Sequence, residues 1–543
     1  MPGQPVPEQD LQAAISAEDP SPPEAQAAAS GRWGAVATWP WEALIPAVVT
    51  FGVTLFEITR PSFWQDEAST LADTHRTLPQ LFALLGHIDA VHGTYYVLMW
   101  LVIRVAGTGE FAVRFPSAVA MAVAAGGIGL LGKRLVSRRA GLAAGLVFAA
   151  VPQVSWYGQN AREYAMVAAV ATIASYLFVR ALQAAEEARG GRVNRWLVGY
   201  GVSLAVLGLL NLFALLLVPA HALALAARAR RDAGGGMPAD GESPATASPR
   251  PLVRGWLIAV AAALVACSPV AFFGWQERGQ VAWIKALDLK DIIGLEQLIG
   301  TGTVLAAALI IIAAGIVVSA TRGRTRLRAD WPQRLVVLCV PWLVLPPAVL
   351  VAASVAHPVY LFRYVVFCIP AAALLIGTAL AALGRAAGTL ALIVVVALAL
   401  PAQAAVRGPA SHEGENLRAI SQFLAEHAHR GDSVLFASFY ERKIEIAYPA
   451  GFRKLHDISF GESAITTNEA VASNAPTAVI SQRLATVSRV WLVRRLHLPE
   501  PVQAGAPPGF KQALPPLVQL GFKLVLSKAI SKYQVLLYVR SAP

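Results

Sequence analysis

The sequence predicts an α-helical polytopic membrane protein with about 11 to 12 membrane-crossing helices, followed by a small extracytoplasmic α/β domain. Three observations predict it. Of 543 residues, 56% are hydrophobic and only 14% charged, where a soluble chain carries roughly 25% charge. Apolar runs near spanning length recur from Trp41 to residue 405. Beyond Ser411 the texture changes to short strands alternating with helices. The composition, with a mean hydropathy of +0.54, excludes an ordinary cytosolic enzyme. It also excludes disorder as the main state, since disorder needs low hydrophobicity.

Residues 1–31 are rich in Pro, Ala, Gln, Ser and Glu and lack periodicity, so they read as a disordered cytoplasmic tail. They do not have the build of a signal peptide, because no basic stretch precedes a short apolar core. Residues 32–407 read as the transmembrane part. Its first run, Trp41 to Ile58, is about long enough to cross a bilayer. Further runs lie near 94–106, 113–131, 140–157, 164–182, 196–210, 212–227, 256–273, 298–319, 335–353, 364–383 and 389–405. Helices are the expected state, because open backbone cannot be satisfied in lipid.

Basic residues set the orientation. Lys133-Arg134 with Arg138-Arg139, and the loops Arg189 to Arg195, Arg228 to Arg254 and Arg322 to Arg334, are strongly basic. Placing them in the cytoplasm puts the segments around Asp66, Gln159, Gln276 and His357 outside, together with everything after Arg407. Residues 94–131 then cross once in net terms, although two apolar runs are split there by Gly107-Thr-Gly-Glu110. About 11 full crossings result. The net charge of +12 is accounted for by this topology signal, and no nucleic-acid partner is expected. The external loop Arg60 to Gly93 holds an amphipathic stretch, with Leu78, Leu81, Phe82, Leu85 and Ile88 at helical spacing. The loop 228–254 reads as a flexible linker.

From 411 to 543 the sequence reads as a compact α/β domain. Leu417, Ile420, Phe423 and Leu424 mark a helix ended by Gly431. Strands are predicted at Ser433-Val-Leu-Phe-Ala, Arg489-Val-Trp-Leu-Val and Tyr533-Gln-Val-Leu-Leu-Tyr-Val. No Gly-rich dinucleotide fingerprint follows any of them. Cys267, Cys339 and Cys368 all fall in apolar runs without metal-ligand spacing, as expected of packed membrane thiols.

Four polar clusters interrupt this pattern at the external face. Phe63-Trp64-Gln65-Asp66-Glu67-Ala68 places two carboxylates just after the first span, where ionisable groups are costly. A carboxylate there could serve as general base on an acceptor hydroxyl; the plain alternative is a solvated loop. Asp89-Ala-Val-His92-Gly93-Thr-Tyr95-Tyr96 opens the next run. An aromatic belt explains the tyrosines but not Asp89 and His92 beside them. Gln159-Asn160-Ala161-Arg162-Glu163-Tyr164 separates two spans, and a loop that pairs with itself is the alternative. His357-Pro-Val-Tyr360-Leu-Phe-Arg363-Tyr364 offers an arginine suited to gripping phosphate, or one that merely snorkels. One charge rule brings all four to one face, as a bundle with a polar outward cavity would require.

This ordered set resembles the GT-C membrane glycosyltransferases, in particular the bacterial family 39 and protein-mannosyltransferase-like group. Asp66-Glu67 is similar to that group's acidic motif in the first external loop. Asp89 to Tyr96 is similar to its His-Pro-Pro-Leu-Tyr-Tyr stretch, with Gly93-Thr94 replacing the prolines. Arg114-Phe-Pro-Ser-Ala resembles its Arg-Leu-Pro-Ser-Ala element. Gln159 to Tyr164 resembles its Ser-Gln-Glu-Ala-Arg-x-Tyr loop, and Phe362-Arg363-Tyr364 with Pro370 its late Arg-Tyr element. The match runs through residues 40–405 in order.

The resemblance implies a GT-C-like bundle and a polyprenyl-phosphate monosaccharide donor. The sugar, mannose or a relative, would pass to a glycan or protein acceptor at the outer face of the bacterial cytoplasmic membrane, with inversion. Asp66 would be the catalytic base with Glu67 beside it, and Arg363 would hold the donor phosphate. Asp89, His92, Tyr96, Gln159, Arg162, Glu163, His357 and Tyr364 would shape the substrate pockets. The resemblance leaves room for a divalent metal, with His92 or His357 as ligand, but no spacing demands one. A transporter or flippase of lipid-linked sugars is the competing reading, and a non-catalytic scaffold a third. Neither a clear internal repeat nor carboxylates deep in the later spans favour transport.

Overall fold

The computed structural model describes residues 39–187, 190–234, 250–288, 294–322, 331–496 and 517–540. The tail 1–31 and the centre of the 228–254 loop lie outside the described residues. The described residues from Glu42 onward belong to one compact unit.

A helical bundle fills most of it, and the chain is a multi-pass membrane protein. The helices are α1 (Trp41–Leu55), α2 (Gln65–Thr74), α3 (Leu78–Leu85), α4 (Gly93–Ala106), α5 (Glu110–Leu135), α6 (Arg138–Ala150), α7 (Pro152–Gly158), α8 (Tyr164–Glu186), α9 (Gly190–Leu210), α10 (Leu217–Gly234), α11 (Arg250–Gln276), α12 (Gly302–Arg322), α13 (Trp331–Ala356), α14 (Ile369–Leu383) and α15 (Arg385–Ala405). Among the described residues nine helical segments are long and apolar enough to cross a membrane; α6 and α7 make a tenth if taken as one span. They are bent by 67° at Val151-Pro152, where proline removes a backbone donor and opens a new helix.

The expected 11 to 12 crossings are thus reached only when one or both of α1 and α4 are counted as well. At 15 and 14 residues both are shorter than the roughly 20 residues a straight crossing needs. In the stretch 94–131, α4 is the short helix, and α5, with 26 residues, is long and apolar enough to cross.

Close packing in the middle of the bundle rests on small residues. A Cβ on Gly132 would overlap the backbone of Gly141, and one on Gly377 would overlap Ala144, so α5, α6 and α14 meet backbone to backbone. Lipid offers no hydrophobic drive between helices, and such close approach supplies dispersion contact instead. The outer helices keep apolar side chains exposed, Val265 on α11 at 72% and Ile310 on α12 at 69%, as lipid-facing surfaces do.

After α15 come α16 (Leu417–His427), β1 (Ser433–Phe436), α17 (Lys443–Ala447), β2 (His456–Asp457), α18 (Thr477–Ala485), β3 (Arg489–Arg495), β4 (Phe522–Ile530) and β5 (Tyr533–Arg540). The sheet order is β2-β1-β3-β5-β4. β1 runs parallel to β2 and β3, while β5 runs antiparallel to β3 and β4. The three expected strands are the inner ones. The unexpected two are the edges: β2 has only two residues, and β4 exposes most of its side chains. An edge strand buries little, so its sequence carries no strong apolar signal.

α5, α8 and the Phe362–Cys368 3-10 turn all begin at the bundle end that faces this sheet. Lys133 and Arg134 lie at the other end of α5, where Arg228 of α10 and Arg334 of α13 gather beside Arg134.

Candidate functional site

The short helix α2 organises the site. It starts with Asp66 and Glu67 in its first turn, where the helix dipole favours negative charge. The two adjacent side chains point in different directions and do different work.

Glu67 is fully buried. Arg114 of α5 holds it in a two-pronged grip, Nε to Oε1 at 2.8 Å and Nη2 to Oε2 at 2.7 Å. The Ala161 amide also donates to Oε1, at 2.8 Å. Burial pushes the Glu67 carboxyl up, but Arg114 and the nearby His412 outweigh it and hold it down at about 2. Arg114 further donates to the carbonyls of Ile58, Pro61 and Ser62. The pair pins the chain entering α2, and Glu67 has no free face for a substrate.

Asp66 is open, its side chain 30% exposed. Arg363, in the 3-10 turn before α14, donates from Nη1 to its Oδ2 at 3.0 Å. The guanidinium lies over the rings of Trp283 and Tyr364, at 5.4 and 5.8 Å, while its Nε is buried without a hydrogen-bond partner. Tyr364 packs on Phe213 at 5.0 Å.

A second group adjoins the first. Arg162 contacts the His92 ring at 3.1 Å and lies 3.4 Å from Glu163. Glu163 in turn lies 3.3 Å from His92. Burial raises the Glu163 carboxyl, but Arg162 and His92 overcome it and keep it near 2. Asp89 adopts a φ of 60°, a left-handed conformation that turns the chain into α4. Its carboxylate accepts from Tyr96 at 3.3 Å.

Two expected site residues lie elsewhere. Gln159 is fully buried and donates to the carbonyls of Thr54 and Phe56, at 2.9 and 2.7 Å. It satisfies carbonyls at the end of α1, while its Oε1 is buried without a hydrogen-bond partner. His357 is exposed just beyond α13, and its side chain makes no hydrogen bond or ion pair with any described residue.

Sequence reading missed Asp73 and Lys443. Asp73, two turns after Asp66, is fully buried, and neither of its oxygens has a hydrogen-bond partner. Burial, then the neighbouring Asp89, push its carboxyl up to about 8. Lys443 reaches in from α17, and its Nζ donates to Ser69 on α2 at 2.7 Å. Burial lowers its pKa, against the pull of Asp73, Asp66 and Asp89. An i, i+7 spacing from Asp66 could have flagged Asp73. Nothing in the sequence pointed to Lys443.

The C-terminal part therefore frames this end of the bundle. Glu415 accepts the Gln65 amide at 2.9 Å, and the Gln65 side chain donates to Tyr533 at 2.8 Å. Tyr448 accepts the Phe63 amide at 2.9 Å and donates to Glu110 at 2.7 Å. Arg418 donates to Thr59 and Glu110.

Among the described residues no group of three His, Cys, Asp or Glu gathers as a metal site. His92 is engaged by Arg162 and Glu163, and Asp66 by Arg363. The donor set does not fit the divalent metal that the resemblance leaves room for.

The fold is similar to that of ArnT from Cupriavidus metallidurans in its apo state. The TM-score is 0.56, over 91% of this chain and 97% of that one, at 12% identity. The chain has an ArnT-like fold. ArnT bound to undecaprenyl phosphate aligns equally well, with a TM-score of 0.57 at 12% identity over the same shares of the two chains. Residues 94–233 match the family model of dolichyl-phosphate-mannose-protein mannosyltransferases. No curated protein sequence matches the chain. Within this fold, the segments that carry Asp66, His92, Arg162 and Arg363 meet at one end of the bundle.

Proposed function

We propose that this protein is an integral membrane glycosyltransferase. It moves a sugar from a polyprenyl-phosphate donor to an acceptor hydroxyl at the outer face of the bacterial cytoplasmic membrane. Residues 32–407 supply the transmembrane part, and residues 411–543 an extracytoplasmic α/β domain over the site. One observation carries the reading: Arg363 meets Asp66 at 3.0 Å in a partly open position at the end of an apolar bundle. The ArnT relative bound to undecaprenyl phosphate and the mannosyltransferase match at 94–233 support the donor class.

The chemistry follows from the two groups. An incoming phosphate competes with Asp66 for the Arg363 guanidinium, which binds phosphate through paired hydrogen bonds. Once the phosphate has taken it, Asp66 is released beside the anomeric carbon. Asp66 accepts the proton of the acceptor hydroxyl as its oxygen bonds to that carbon. The carbon–phosphate oxygen bond breaks, and polyprenyl phosphate leaves with its negative charge on Arg363. Attack opposite the leaving group inverts the anomeric centre. Arg162, oriented by Glu163 and His92, adds positive charge beside the sugar. Glu67 acts as a brace rather than as a base.

The test is reconstitution of the full chain in liposomes with polyprenyl-phosphate mannose, then with other polyprenyl-phosphate sugars, and a glycan or peptide acceptor. Glycosylated product that depends on Asp66 supports the reading. Movement of the lipid-linked sugar across the bilayer with no new glycosidic bond would overturn it in favour of transport.

A further inference from the structure

The end of the bundle opposite Asp66 holds a second cleft. Arg134 at the end of α5, Arg228 and Arg231 near the end of α10, and Arg334 at the start of α13 line it, with Glu186 at the end of α8. Glu186 braces two of these arginines, Arg334 at 3.0 Å and Arg228 at 3.7 Å. Arg228 also donates to the Leu182 carbonyl. Arg134 and Arg231 are exposed, and four arginines thus face one carboxylate. The floor is apolar: Leu135, Phe178, Val179, Leu182 and Leu338.

At Val337 this cleft adjoins a groove between α10 and α13, lined by Leu223, Ala227, Val336, Val340 and Pro341. Its walls face outward, with Leu223 49%, Val336 45% and Val340 41% exposed. A cation at a single helix end is explained by the helix dipole. Four arginines from three helices, converging over the head of an apolar channel, are not.

We propose that this cleft binds an anionic membrane phospholipid. The phosphate sits among Arg134, Arg228, Arg231 and Arg334, and one acyl chain lies along the α10–α13 groove. Charge complementarity selects the anion, and the adjoining apolar groove selects a lipid over a free phosphate. Basic pockets between helices at the cytoplasmic end of a bundle recognise such headgroups, each arginine adding to the attraction. The site is separate from Asp66 and Arg363, so it stands whatever the reaction there.

Native mass spectrometry of the full chain in detergent tests it, with phosphatidylglycerol, cardiolipin and phosphatidylcholine as probes and glycerol phosphate as the chain-free control. Preferential retention of the anionic lipids is expected. Arg134→Gln with Arg231→Gln should lower that retention by about tenfold and leave phosphatidylcholine adducts unchanged. Ala227→Trp, which fills the groove without touching charge, should reduce it independently. Equal retention of all three lipids would overturn the proposal, as would glycerol phosphate competing as well as the lipid. Unchanged selectivity in both variants would do the same.

Discussion

Arg363 donates a hydrogen bond to Asp66 at 3.0 Å across a sequence separation of 297. The pair joins the first polar loop of the chain to the 3-10 turn before α14. It leaves a carboxylate that is both neutralised and accessible, next to Glu67, which is neutralised and sealed.

Asp66→Asn should abolish transfer, with a loss of about a hundredfold to ten-thousandfold in turnover, the range of a positioned general base. The variant should keep the yield and thermal stability of the parent, because Asp66 is part-exposed and Asn still accepts from Arg363. Radiolabelled sugar transfer in liposomes measures the first point and a thermal-shift assay the second. Turnover at the parent rate would remove Asp66 from the reaction.

Glu67→Gln should act on folding. It leaves Arg114 buried and half-paired, and breaking one side of a buried ion pair costs about 3–5 kcal/mol. Acid should have the same effect on the parent. The Glu67 carboxyl sits near 2 against an ordinary 4.5, so its contribution is complete above about pH 4.5 and is lost as pH falls toward 2. A thermal-shift series from pH 6 to pH 3 should fall less steeply in Glu67→Gln than in the parent.

Asp73 predicts the opposite slope. Burial and Asp89 lift its carboxyl to about 8 from 3.8. Between those values the folded protein holds a proton that the unfolded chain has released, so stability falls as pH rises. Asp73→Asn, which cannot ionise, should gain thermal stability over the parent by an amount that grows from about pH 4 to pH 8 and then levels off. A constant difference across that range would mean that Asp73 does not titrate there.

Lys443→Met should lower kcat/KM by about threefold to tenfold, the scale of one cation's interaction at a few ångströms in a part-screened site. The loss should appear although Lys443 lies outside the bundle in sequence. Lys443→Arg should restore part of it. Steady-state transfer assays on the three proteins decide, and equal rates would confine the C-terminal part to a structural role.

The sequence by itself determined the membrane class, the bundle and the end at which its polar clusters gather. Those properties depend on runs of apolar residues and on basic loops, which are local in the chain. It also singled out Asp66, His92, Arg162 and Arg363, because a charge among apolar residues is conspicuous wherever it folds. Tertiary structure alone decided which of two neighbouring carboxylates is sealed: the choice belongs to Arg114, 47 residues away, and a one-residue step on a helix turns a side chain by about 100°. It set the Gln159 amide on the carbonyls that end α1, and left His357 exposed beyond α13. It also brought Lys443 from an ordinary-looking polar helix into contact with Ser69. Burial and long-range pairing set those roles, and neither is written in the order of the residues.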